Sequence, residues 1–137
     1  MSRQRGFVAT ELALGIGVLL VPVAMLVLTV PSWSERQATA RAIAREAGRT
    51  VAVAGWCDLD RARAVSNAMA LNLGVEPGDV SVALEDCAPG RLPRGGVVTV
   101  SVTIQLPAVA IPGIANVAEW HWTARHTEPV DPYRSFD

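Results

Sequence analysis

No ionisable side chain occurs across residues 12–34. A helix over that stretch rises about 1.5 Å per residue and is roughly 34 Å long, enough to cross a bilayer. Cysteine is nearly absent: Cys57 and Cys87 are the only two, with neither C-x-x-C spacing nor a histidine cluster to suggest zinc. An excess of either charge is also missing. With a net charge of −1 the chain lacks the electrostatic footprint of a nucleic-acid binder, and no nucleic-acid partner is expected. No internal repeat or low-complexity linker divides it. Ser66, Ser81 and Ser101 lack a Gly-x-Ser-x-Gly elbow, and no glycine loop is built to cradle phosphate. His121 and His126 lie near Glu119 and Glu128, a set that supplies metal ligands or a general base in principle. On one alternating strand, however, the two histidines point to opposite faces. The expectation is a protein that is not an enzyme and has no catalytic residue, metal site or cofactor.

What is present is concentrated at one junction. Arg3 and Arg5 precede the uncharged run, whereas residues 35–54 carry mixed charge. The basic leader places the N-terminus in the cytoplasm and everything after Ser34 outside it. A secretory signal peptide fits poorly, because its apolar region runs about 7–15 residues and ends at a small-residue cleavage site. Here the run is longer, and the nearest A-x-A, at Ala38 and Ala40, lies beyond charged residues. Glu11 stands just inside the apolar segment. A carboxylate at the bilayer centre costs about 2.5–3.5 kcal/mol on insertion scales, less near an edge, and such residues are functional by default. One role is to meet a positive charge from another chain; a cut after Gly6 would create one, the new amine of Phe7.

The sequence Arg5-Gly6-Phe7-Val8-Ala9-Thr10-Glu11 before a spanning run resembles the type IV prepilin signal. In that signal a dedicated peptidase cuts after glycine on the cytoplasmic side, and the glutamate at the fifth mature position guides assembly. Gly6, Phe7 and Glu11 match all three positions. With the Ala/Arg-rich helix that follows, the chain looks like the TadE-like minor pilins and pseudopilins of tight-adherence (Tad) pilus systems. The resemblance implies a basic prepilin leader over 1–6, a transmembrane helix over 7–34, a helical spine extension over 35–54 and an extracytoplasmic α+β domain over 55–137. It also implies as partners the prepilin peptidase, other pilin subunits, Tad assembly platform proteins and the membrane. An alternative of another class is an unprocessed single-pass envelope protein whose small domain binds a ligand or envelope partner.

Finer features follow from the residues. Ala9, Ala13 and Gly17, at i, i+4 and i+8, form a small face suited to close helix packing, although an Ala-rich chain also produces such a stripe by chance. Pro22 should bend the helix, and Pro31 marks its exit or a second bend. Ser34 is placed to cap a resumed helix reaching Ala54. Ala40, Ile43, Ala47 and Ala54 form its apolar stripe, and Arg41, Arg45 and Arg49 a solvated face beside it.

Residues 55–137 are short for an independent core. In an oxidising exterior Cys57 and Cys87 are expected to form a disulfide; a buried thiol pair is the alternative. Residues 58–73 read as a helix with Asp58 or Asp60 at its start, Ala62, Val65 and Met69 on one face and Gly74 as its stop. Pro77-Gly78 turns the chain and Gly95-Gly96 makes a turn ahead of a strand. Three alternating stretches read as strands: Val80, Val82 and Leu84; Val98, Val100, Val102, Ile104 and Leu106; and Ala118, Trp120, Trp122 and Ala124. Three antiparallel strands with one apolar face against helix would bury the tryptophans. The apolar connection over 107–116 either covers the core edge or meets a neighbouring subunit. The tail over 127–137 is read as irregular, with Tyr133 and Arg134 docking it on the domain.

Overall fold

A computed structural model describes residues 4–106 and 120–133. Its first element is a single long helix, α1 (Gln4–Ala54), which contains both Pro22 and Pro31. One helix is therefore long and apolar enough to cross a membrane, and the described side chains of its apolar stretch are unburied. The helix does not stop near Pro31 and resume at Ser34 but runs through both. Ser34 is not an N-cap: its hydroxyl donates to the Pro31 carbonyl at 2.7 Å, the local back-bond by which serine is accommodated inside a helix.

The other described elements pack around the second half of α1. A short strand β1 (Trp56–Cys57) leads into α2 (Leu59–Asn72). Asp58 is the N-cap of α2 and accepts a hydrogen bond from the Arg61 amide at 3.0 Å, satisfying one of the amides a helix start leaves unpaired. At the other end Gly74 takes φ +71°, its amide donates to the Leu71 carbonyl at 3.1 Å, and the Val75 amide donates to Ala70 at 2.8 Å. This is the Schellman pattern, in which a left-handed glycine closes the last carbonyls. The buried side of α2 is Ala62, Ser66 and Ala70, with Met69 at its margin. The stripe thus centres on Ser66 rather than Val65, because small residues at i, i+4 and i+8 let α2 approach α1 closely.

A 3₁₀ turn (Pro77–Asp79) precedes β2 (Val80–Glu85), followed by β3 (Gly90–Arg91), β4 (Val97–Leu106) and β5 (Trp120–Pro129). β1 pairs with β3, and a separate antiparallel sheet has the order β2-β4-β5. Its register places Val82 opposite Val102 and Val102 opposite Ala124. A turn at Pro93 to Gly96, with Gly95 at φ +69°, leads into β4. Val98, Val100, Val102 and Ile104 are fully buried against α1, whose own contributions are Ala40, Ile43, Ala44, Ala47, Val51 and Ala52. Ala54, expected in this stripe, is only half-buried. The outward face of the sheet is polar, with Thr99–Thr127 and Thr103–Thr123 hydroxyl pairs across β4 and β5.

Two expectations fail at β5. The tryptophans are not buried: Trp120 keeps 58% of its surface exposed and Trp122 is half-buried. The strand also continues to Pro129, so the first part of the tail is ordered in the sheet, and Tyr133 is 94% exposed rather than docked. Ala118, Glu119, the 107–116 connection and Arg134 lie outside the described residues.

Cys57 and Cys87 are joined in a disulfide that ties the start of α2 to the loop after β2. Their separation is 30 residues. The chain-entropy model gives about 3–4 kcal/mol for a closed loop of that size. Cys57→Ser/Cys87→Ser is expected to lower stability by that amount, read as a drop in thermal midpoint of the detergent-solubilised chain. An unchanged midpoint would contradict a stabilising role for the crosslink.

Candidate functional site

The first turns of α1 hold the residues of the junction. Gly6, Phe7 and Ala9 lie on its helical backbone. Glu11 is exposed. With Leu12, Gly15, Ile16, Leu19 and Leu20 it lines one continuous, mostly apolar face. Among the described residues Glu11 has no ion-pair partner. Around it Leu12 is 65% exposed, Leu14 71% and Val18 69%, so the described side chains of this half of α1 are largely unburied in the single chain.

Helical geometry separates the two features expected to act in packing. At 3.6 residues per turn Ala13 lies about 200° around the axis from Glu11. Ala13 is exposed and Gly17 half-buried, and a Cβ built on Gly15 or Gly17 would meet nothing within 4 Å. The small stripe and the carboxylate therefore lie on opposite sides of α1.

The distal half of α1 carries polar contacts that sequence periodicity does not reveal. The Arg41 guanidinium lies 5.0 Å from the centroid of the Trp122 ring, a cation–π contact on the otherwise exposed arginine face. Gly48 is buried where β5 crosses, and a Cβ there would stand 3.3 Å from His126 Cδ2. His126 Nε2 and Glu128 Oε2 are 2.8 Å apart on that inward face. His121 is exposed on the opposite side, as strand alternation requires, so the two histidines do not form one site. Cys57 and Cys87 are brought together in the disulfide.

On the outward face, Glu85 joins β2, β4 and β5. It accepts a hydrogen bond from the Ser101 hydroxyl and one from Arg125 Nε at 3.0 Å. The Ser101 hydrogen bond, with help from the Arg125 charge, holds the Glu85 carboxyl below its ordinary pKa. A depressed pKa adds stability that is complete above the unfolded-chain value, near ~4.3, and is lost as pH falls through the native value. Ser101→Ala is expected to shrink the loss of thermal stability between pH 7 and pH 3. An equal loss in both proteins would contradict this role.

No protein-family model matches the chain, and neither a curated protein nor a solved structure does. The functional reading accordingly stands on residues and geometry.

Proposed function

We propose that this chain is a minor pilin or pseudopilin that acts in assembly of a Tad-type type IV pilus. It enters the cytoplasmic membrane with its N-terminus inside and its α+β domain outside. A prepilin peptidase cuts after Gly6, and the mature chain packs through its helix against other pilin subunits and the assembly platform. The observation that carries the reading is the division of α1. One uninterrupted helix has an unburied apolar half, beginning beside Gly6, Phe7 and Glu11, and a second half clad by a disulfide-stapled α+β domain. Such a helix is a spine whose free half needs lipid or other helices to cover it.

The chemistry asked of the site is modest. Cleavage leaves a protonated amine on Phe7 near a carboxylate of like depth on an adjacent spine. In a low-dielectric bundle each charge is costly alone, and the pair offsets that cost, which favours the register that aligns them. The opposite, small-faced side at Ala13 and Gly17 admits a second neighbour at short interaxial distance.

A second reading, a permanent single-pass envelope protein that binds a ligand, draws on the cleft beside the disulfide lined by Trp56, Cys57, Asp58, Leu84 and Pro89. Fractionation of native cells separates the two. Recovery of the chain with sheared surface filaments or with the pilus assembly complex supports the first. Recovery only as a free membrane protein, in cells that make the pilus, contradicts it.

A further inference from the structure

The sheet is fastened to α1 at the level where the uncharged run ends. Trp33, beside the last residue of that run, stacks on Trp120 at the start of β5, with ring centroids 6.2 Å apart and planes 20° apart. One turn farther along, Arg36 Nη1 stands 3.6 Å from Asp79 Oδ2 in the 3₁₀ turn. α2 begins beside the end of α1, packs along it and delivers the chain to Asp79, so α2 runs back toward the apolar half. Its C-cap Leu73 is 47% exposed near that end. The edge of the domain around the helix exit therefore presents Trp120 and Leu73 beside the Arg36–Asp79 pair. Trp56 is similarly exposed, at 52%, but follows the far end of α1, roughly 32 Å of helix beyond Trp33.

Depth follows from length. From Glu11 to Arg36 the helix rises about 37 Å, which accommodates a hydrocarbon core of ~30 Å and leaves Trp33 at the headgroup boundary. Trp120 is held against Trp33 and so shares its depth. Tryptophan is favoured at that level because its apolar ring and its N–H are satisfied on opposite sides of the boundary. A neighbouring protein is the competing occupant of this edge. Continuity with the spanning segment favours lipid, since a ring beside Trp33 meets the bilayer as soon as α1 is inserted.

We infer that the membrane-proximal edge of the domain is seated in the phospholipid headgroup layer where α1 exits, with Trp120 as its lipid-contacting anchor. The inference rests on the spanning reading of α1, which both functional readings above share. It fixes the domain's orientation, because the helix continues from the bilayer into the domain core without a linker.

The test uses the full chain, labelled with 5-fluorotryptophan, in phosphatidylcholine/phosphatidylglycerol nanodiscs, with and without lipids carrying a nitroxide at the headgroup. The ¹⁹F lines of Trp33, Trp56 and Trp122 are assigned by single Trp→Phe variants, which leaves the remaining line to Trp120 in the unaltered protein. Expected is loss of the Trp33 and Trp120 lines with retention of the Trp56 line. Loss of Trp33 with retention of Trp120 shows that the Trp33–Trp120 stack opens in the bilayer and overturns the seating while the span stands. Retention of every line, with the chain absent from the discs, overturns the span and the seating together.

Discussion

Glu11→Gln is expected to reach the membrane at the wild-type level and to lose incorporation into pilus assemblies by on the order of a hundredfold or more. Insertion is spared because glutamine is no harder to place in lipid than a carboxylate, and the long uncharged run that drives it is untouched. Assembly is not spared. Removing one member of a buried ion pair leaves the other uncompensated, at about 3–5 kcal/mol, and every ~1.4 kcal/mol is tenfold in association. The exposure of Glu11 on a face shared with Leu12, Ile16 and Leu19 is what leaves it available to a neighbour. Quantitative immunoblots of membrane and filament fractions read both quantities. Equal filament fractions for the two proteins would contradict a pairing role for the carboxylate.

The second large effect concerns the other half of the same helix. Ile43→Ala is expected to destabilise the domain by about 2–5 kcal/mol, the range for removing a buried branched side chain whose cavity cannot fully collapse. Ile43 is fully buried among Ala40, Ala44 and Ala47 of α1 and the inward valines of β4. Small neighbours on its own helix cannot extend to fill the void. Ile16→Ala, at a position 49% exposed in the free half, is expected to shift domain unfolding by less than about 0.5 kcal/mol. Thermal unfolding of both variants in detergent, followed by near-ultraviolet circular dichroism, distinguishes the halves. Similar shifts would mean that α1 is not divided as described.

The parts of the fold that the sequence made legible were those with strict period or strict absence. An uninterrupted lack of charge identified the apolar half of α1, and alternation located the strands beginning at Val80 and Val97. Two cysteines left one possible pairing, and Gly74 marked the stop of α2 because a left-handed glycine is the usual way to close a helix. Legibility failed where a distant partner decides. Ser34 after Pro31 carries a local capping signal, yet the helix continues, with the serine bonded back to the proline carbonyl. Trp120 alternates like a core residue, but its partner is Trp33 on α1, which holds the ring at the edge of the domain rather than inside it. His126 and Glu128 were missed as inward residues because the apolar alternation ends at Ala124 while the ladder continues.

The candidate site was legible only as a motif. Gly6, Phe7 and Glu11 match a processing signal by type and spacing, and Ala9, Ala13 and Gly17 match a packing stripe. Helical geometry adds that Glu11 and Ala13 face opposite ways, which no composition argument supplies. What covers either face is a property of the assembly and not of one chain.

The central claim is that the chain enters the pilin pathway. Its most direct test is the N-terminal residue of the protein purified from membranes of its native host, with and without the candidate prepilin peptidase. The account predicts a chain that begins at Phe7 when the peptidase is present and retains the residues through Gly6 when it is absent. A chain that retains them in both strains would contradict the pilin reading and leave a permanent single-pass anchor.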